Sequence, residues 1–233
     1  MAVAWKIANT PTTRFQIGSL TKQFTAGMIL KLAQDGRINL DSTLSSYLPN
    51  YRRAVGEAVT IRQLLGPSAG IPDFVHRPDI IQIVKEPLTP KEVVSKYCSN
   101  ALAFRPGTQF EYSNCGYLIL GALYEQIAGE SYAEGLRRFT ARAGLTDTGI
   151  SGPRAVVPRL AMAYVIENGR ETKAPYIDWS VAFSSGGIYS TVRDLWRWRG
   201  ELVSGRLLGA GASKEIFAIR PFGYSFGWHV GPN

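Results

Sequence analysis

Apolar residues recur at helical spacing along much of this chain and switch to strand-like alternation toward its end. Leu20, Phe24, Met28, Ile29 and Leu32 mark one side of a stretch from about Leu20 to Gln34, with Gly36 just beyond it, which predicts an amphipathic helix closed by a left-handed glycine. Thr89-Pro90-Lys91-Glu92 and Ser131-Tyr132-Ala133-Glu134 have the form of capping boxes and predict two more helix starts, and Thr191 predicts another. An apolar run through Ile127 follows Asn114, for which that asparagine is the candidate N-cap. From Asp41 to Gly144 the pattern is helical and loop-rich. After Ala161 the period shortens: Ala163-Tyr164-Val165-Ile166, the Asn168-Gly169 turn and the segment beyond predict a hairpin, while Ile188 and Tyr224 to Val230 read as strands. This order predicts a single domain of α/β (α+β) class. A mainly helical lobe over 42–160 is inserted into an α/β lobe made of 1–41 and 161–233, with the site in the cleft between them.

Composition agrees with a globular protein: 233 residues, 45% hydrophobic and 19% charged, are enough to bury a core, and no repeat or low-complexity segment interrupts them. No stretch has the apolar length of a membrane span, and no basic segment followed by an apolar run opens the chain, so the sequence predicts a soluble chain without an export signal. The net charge of +8 is scattered. Its small clusters, Arg52-Arg53, Arg137-Arg138 and Arg193 through Arg199, match no nucleic-acid module and read as solvated or pairing faces, Arg197-Trp198-Arg199 included. Nucleic acid is therefore not an expected partner, whereas a substrate bearing a carboxylate fits the charge. Cys98 and Cys115 could pair if brought together, but their spacing does not demand it, and two thiols in a chain of this size are ordinary in a reducing compartment.

The chemistry begins at Ser19-Leu20-Thr21-Lys22. On a helix the serine and lysine lie a turn apart on one face. A serine hydroxyl is a weak nucleophile until a base takes its proton, and a partly desolvated lysine near a helix N-terminus can be neutral enough to do so. Chance supplies about 0.6 Ser-x-x-Lys matches in a chain of this composition, and Ser19 as a plain cap beside a solvated Lys22 would look the same, so context must decide. A second segment, Phe104-Arg105-Pro106-Gly107-Thr108-Gln109-Phe110-Glu111-Tyr112-Ser113-Asn114, supplies it. Pro-Gly predicts a turn, and Tyr112 stands at a loop-to-helix junction where a phenol can relay a proton. Asn114, two residues on, can donate to a substrate carbonyl.

These residues carry a family resemblance. Phe15 through Ala26, containing Ile17-Gly18-Ser19-Leu20-Thr21-Lys22, resembles the nucleophile segment of the serine β-lactamase-related superfamily, which includes class C β-lactamases, penicillin-binding D-alanyl-D-alanine carboxypeptidases and family VIII esterases. Pro106-Gly107-Thr108 with Tyr112-Ser113-Asn114 and Gly116-Tyr117 is similar to its Tyr-x-Asn segment. Leu64-Leu65 through Gly70-Ile71-Pro72, Gly186 through Thr191 with Asp194, and Tyr224 to Trp228 follow in matching order. The resemblance implies a β-lactamase-like two-lobed fold with an antiparallel sheet flanked by helices, and a serine hydrolase without a cofactor. Ser19 would form an acyl-enzyme, Lys22 would be its base, Tyr112 would pass a proton to the leaving group and Asn114 would orient the acyl portion. The substrate would be a small ester, amide or β-lactam. The Ser19 backbone N–H would form half an oxyanion hole, with the other half coming in relatives from a third motif.

Two departures stand out. Superfamily members are usually longer at both ends, so strands of the sheet would be missing here, and an unpaired edge would favour association with other strands. The third motif is normally a Lys-Thr-Gly or His-x-Gly triplet; His229-Val230-Gly231 matches it literally, although its setting after Gly227-Trp228 resembles the preceding strand. Gly66-Pro67-Ser68-Ala69-Gly70 has a proline where relatives carry a histidine, and is also a literal Gly-x-Ser-x-Gly. That elbow needs a strand before it and a helix after it, whereas Thr60 to Leu65 reads as a helical turn and Pro72 opposes a helix start, so Ser68 is expected in a tight loop. His76, in a proline-flanked loop, and His229 are the only histidines, which leaves little material for a Ser-His-Asp triad or a metal site. Gly205 to Gly211 lacks the spacing and the lysine of a phosphate loop. Two rival readings remain at this level: an acyl-trapping protein that turns over slowly or never, and a fragment that needs a partner chain.

Overall fold

The computed structural model describes residues 8–152 and 155–231. Its elements run in the order β1 (Phe15–Gln16), α1 (Thr21–Gln34), α2 (Arg53–Gly56), α3 (Ile61–Leu65), α4 (Ile80–Ile83), α5 (Pro90–Tyr97), α6 (Asn114–Ala128), α7 (Tyr132–Arg142), β2 (Gly149–Ile150), β3 (Tyr164–Glu167), β4 (Arg170–Lys173), α8 (Phe183–Gly186), β5 (Ile188–Ser190), α9 (Val192–Ser204), α10 (Gly209–Phe217), β6 (Tyr224–Ser225) and β7 (Trp228–His229). All the ladders between these strands are antiparallel. β1 and β2 flank β5 in one sheet, and β3–β4 and β6–β7 are separate hairpins. The fold is of the mixed α/β class that the sequence predicts. Gly149 and Ile150, within the range read as helical, join the sheet.

Helix α1 is the centre of the packing. Every residue from Thr21 to Leu30 is buried, so the helix is enclosed on all sides rather than amphipathic as its apolar spacing predicts. The polar residues that blur the apolar stripe are themselves inside: Thr21, Lys22, Gln23 and Thr25 are all buried. Leu20, counted on the apolar side, is instead 42% exposed and ends a 3-10 turn over Gly18–Leu20. Phe24 stacks on Trp198 at 4.5 Å between ring centroids, and Phe139 meets the same indole edge-on at 5.8 Å. Trp198 is thus a core residue, correcting the solvated reading of Arg197-Trp198-Arg199; only its neighbours reach outward, with Arg197 donating to the Gly144 carbonyl at 3.0 Å.

The buried polar groups of α1 have a fixed task. Thr21 Oγ1 accepts from Ile188 N at 3.1 Å, Thr25 Oγ1 donates to the Ser184 carbonyl at 2.6 Å, and Lys22 Nζ donates to the Ser185 carbonyl at 2.9 Å. One helix face therefore holds the 184–188 turn through three side chains, and each bond offsets the desolvation of its partners.

The capping boxes at Thr89 and Ser131 form as predicted, and Thr191 caps α9. The Asn168-Gly169 turn joins β3 to β4 with both residues at positive φ, 51° and 74°, as a two-residue hairpin loop requires. At α6 the cap is one residue earlier than expected: Ser113 Oγ accepts from Gly116 N, and Asn114 is the first helical residue. Cys98, at the end of α5, and Cys115, in the first turn of α6, form a disulfide, which settles the pairing that their spacing left open. Among the described residues no helix is long and apolar enough to cross a membrane.

Candidate active site

The site is assembled by three segments meeting at the start of α1. Ser19 lies in the 3-10 turn that leads into α1 and is exposed, whereas Lys22 is 1% exposed. The segments 66–73 and 103–114 are zipped together beside them. Gly107 N donates to the Ser68 carbonyl at 2.8 Å, Glu111 N to the Pro67 carbonyl at 2.7 Å, and Ala103 N to the Gly70 carbonyl at 2.8 Å. Gly70 has φ +73°, and a Cβ there would stand 2.4 Å from the Phe104 carbonyl oxygen, so the close approach requires glycine. Ser68 sits in this loop, after α3 rather than after a strand, and no helix starts behind it, so the Gly-x-Ser-x-Gly match is not a nucleophile elbow.

Lys22 Nζ has three oxygen partners: Asn114 Oδ1 at 2.8 Å, the Ser185 carbonyl at 2.9 Å and Ser19 Oγ at 3.3 Å. Two of them are carbonyl oxygens, which can only accept. They fix two N–H bonds of the amine, and the third tetrahedral direction faces the one partner that has a proton to give. Burial pushes the Lys22 pKa down from 10.5 to about 7, with the Asp73 carboxylate pulling it partly back up. Its position in the first turn of α1, where the helix dipole disfavours positive charge, acts in the same direction as burial.

Tyr112 is half-buried, with its ring centroid 4.8 Å from Lys22 Nζ. Burial raises the phenol pKa; the hydrogen bond with the Ser19 side chain opposes the rise and the Asp73 charge adds to it. The sequence-predicted residues Ser19, Lys22, Tyr112 and Asn114 therefore converge on one point. With the lysine near neutrality and the phenol held protonated, Lys22 is the group able to accept a proton there and Tyr112 the one able to donate.

The sequence reading missed several neighbours. Asp73, 5% exposed, accepts from both the backbone and the side-chain nitrogen of Asn114 at 2.8 Å each. Its signal was its place as cap before Phe74, where its other oxygen accepts from Val75 N. The carbonyl of Ser185 had no signal, since a backbone oxygen is brought to Lys22 only by folding. Tyr224 packs edge-on against Tyr112 at 5.9 Å, and His229 against Tyr224 at 5.2 Å. His229 is exposed on β7 and touches the site through these rings. The hairpin is seated by Gly227, where a Cβ would lie 2.8 Å from the backbone at Lys22 and Gln23. His76 is exposed. A cavity of about 520 Å³ lined by Phe15, Gln16, Tyr164 and Trp179, and another of about 460 Å³ beside Tyr51 and Arg52, do not include Ser19.

A family model described as Beta-lactamase matches residues 3–232. Protein flp of Staphylococcus aureus (strain MW2) is 36% identical over 132 residues, covering 55% of this chain and 26% of that protein. The putative penicillin-binding protein PbpX of Bacillus subtilis (strain 168) is 27% identical over 97% of this chain and 56% of its own length. This chain thus spans only part of the curated relatives it matches. Among solved structures, a D-stereospecific amidohydrolase from Streptomyces sp. superimposes with a TM-score of 0.82 at 29% identity, over 92% of this chain and 70% of the other. With the family model covering nearly its whole length and this fold around its Ser-x-x-Lys segment, the chain belongs to the beta-lactamase family.

Proposed function

We propose that this protein hydrolyses small amides and esters through an acyl-enzyme on Ser19. The observation that carries the reading is the disposition of Lys22, a buried amine with two N–H bonds fixed on carbonyl oxygens and its third direction on Ser19 Oγ. In acylation Ser19 Oγ attacks the substrate carbonyl carbon while its proton passes to Lys22 Nζ, and the Ser19 backbone N–H supports the developing oxyanion. As the bond to the leaving group breaks, the Tyr112 phenol gives its proton to the departing nitrogen or oxygen and is reprotonated from the Lys22 ammonium. Water then attacks the Ser19 ester with the same groups acting in reverse. Asn114 serves twice: its Oδ1 holds Lys22, and the amide N–H that it does not give to Asp73 can orient the acyl portion.

For substrate class, the similarity to a D-stereospecific amidohydrolase favours amides of D configuration, with simple esters and β-lactams as alternative acyl donors for the same first step. The test is intact-mass spectrometry after incubation with a fluorescent penicillin, with p-nitrophenyl acetate and with D-phenylalanine amide, on wild type and Ser19→Ala. An adduct or product that disappears in the variant supports the reading. Absence of both with all three reagents, from folded protein, overturns it.

A further inference from the structure

Asp73 carries a buried carboxylate that forms no ion pair among the described residues. Oδ2 accepts from Asn114 N and Asn114 Nδ2, and Oδ1 accepts from Val75 N at 3.3 Å. A charge kept out of water without a counter-ion is costly, so its hydrogen bonds must hold it in place. The bond that matters is the one to the Asn114 side chain. A primary amide fits its density of neighbours in two ways, related by a half-turn. In one, Oδ1 faces Lys22 and the NH2 group faces Asp73. In the other, the NH2 group is pressed against the lysine and Oδ1 against a carboxylate, and both hydrogen bonds are lost. A carboxylate cannot donate, so it forbids the second seating; a neutral amide or hydroxyl at the same place would permit it.

We propose that Asp73 is a positioning residue for the acylation step: its carboxylate locks the Asn114 amide with Oδ1 on Lys22, and so fixes which lone-pair direction of the amine is left for Ser19. This rests on the hydrolase reading given above. The electrostatics follow the same line. The titratable groups facing Lys22 are Tyr112 from the 103–114 segment and Tyr117 from α6, with ring centroids 4.8 and 5.5 Å from Nζ, and Asp73 from the 66–73 loop. Tyr224 of β6 stands behind the two tyrosines, with His229 against it. Burial raises all three phenols, leaving Asp73 as the charge whose removal Lys22 would feel.

Asp73→Asn preserves shape, removes the charge and frees the Asn114 amide to turn. The expected result is a kcat lower by about 10- to 100-fold with KM nearly unchanged, as for a misplaced reacting group. Loss of the negative charge lets Lys22 deprotonate more easily, so the acidic limb of kcat/KM should move to lower pH by about half a unit or more. A merely structural role would lower the active fraction and leave the limb in place. The Lys22 midpoint is read independently by 13Cε-lysine NMR on Ser19→Ala and on Ser19→Ala/Asp73→Asn, which needs no turnover. A midpoint and a kcat that both stay at wild-type values overturn the proposal. Absence of Ser19-dependent turnover in wild type overturns the hydrolase reading instead, and the NMR midpoint still decides the coupling. Should Asp73→Asn not fold, the Asn114 side-chain NH2 signals of the wild type decide. One proton protected from exchange and responsive to Lys22 titration is expected, and an unprotected, pH-insensitive pair refutes the lock.

Discussion

The pH dependence of acylation tests the central assignment most directly. At pH 7 a lysine with an ordinary pKa of 10.5 is neutral in only about one molecule in three thousand, whereas one brought down to about 7 is neutral in half of them. Burial, net of the opposing Asp73 charge, thus raises the population of competent base by about three orders of magnitude. The sign is fixed by the role: Lys22 must be unprotonated to accept the Ser19 proton, so kcat/KM should fall as pH drops through about 7 and level off above it. Tyr112, held protonated above its usual range, adds no basic limb below about pH 10. Lys22→Arg places a permanent cation beside Ser19 and should lower kcat/KM by about a thousandfold or more at every accessible pH, because guanidinium does not deprotonate in proteins. The same burial has a stability consequence. With the folded pKa below the unfolded one, the unfolded chain binds more protons between about pH 7 and 10.5, so stability rises with pH across that window. Lys22→Met removes this dependence, and its stability relative to wild type should decline on the order of 3 kcal/mol from pH 7 to 10. The assays are initial rates on D-phenylalanine amide from pH 5 to 10 and urea unfolding at both ends of the window. A rate profile flat through pH 7, or a Lys22→Arg variant with near wild-type activity, would refute the reasoning.

Tyr112→Phe should discriminate between leaving groups. An amine must be protonated as it departs, so amide turnover is expected to fall by about 100- to 10,000-fold, while p-nitrophenolate leaves unaided and the ester rate should change by less than about tenfold. Equal losses on both substrates would remove Tyr112 from the proton path. Gly70→Ala forces a side chain into a positive φ and against the Phe104 carbonyl oxygen; a loss of about 2–4 kcal/mol is expected by chemical denaturation. The double variant Cys98→Ala/Cys115→Ala opens a loop of 17 residues and should cost about 3 kcal/mol, with wild type under reducing conditions behaving alike. A variant as stable as the oxidised protein would show that helix packing alone joins α5 to α6.

Much of this was legible in the residue order because it depends on neighbours along the chain. Capping boxes at Thr89 and Ser131, the Asn168-Gly169 turn, the Ser-x-x-Lys spacing and the junction bearing Tyr112 and Asn114 are local patterns whose geometry follows from three to five residues. Tertiary structure decided the rest. Apolar spacing predicts an amphipathic α1 because periodicity reports which residues are apolar, not how many sides a helix has covered; Thr21, Lys22 and Thr25 are buried because the 184–188 turn offers each a partner. Shifting the α6 cap to Ser113 is a choice between two adjacent capable residues, and it falls that way because Asn114 finds better partners in Lys22 and Asp73, far away in sequence. The disulfide likewise required α5 to end beside the start of α6. Residue order names the groups able to carry the chemistry. Only the fold set the depth at which Lys22 lies and the oxygens it meets there, and those long-range contacts turn an ordinary ammonium into a base poised near neutrality.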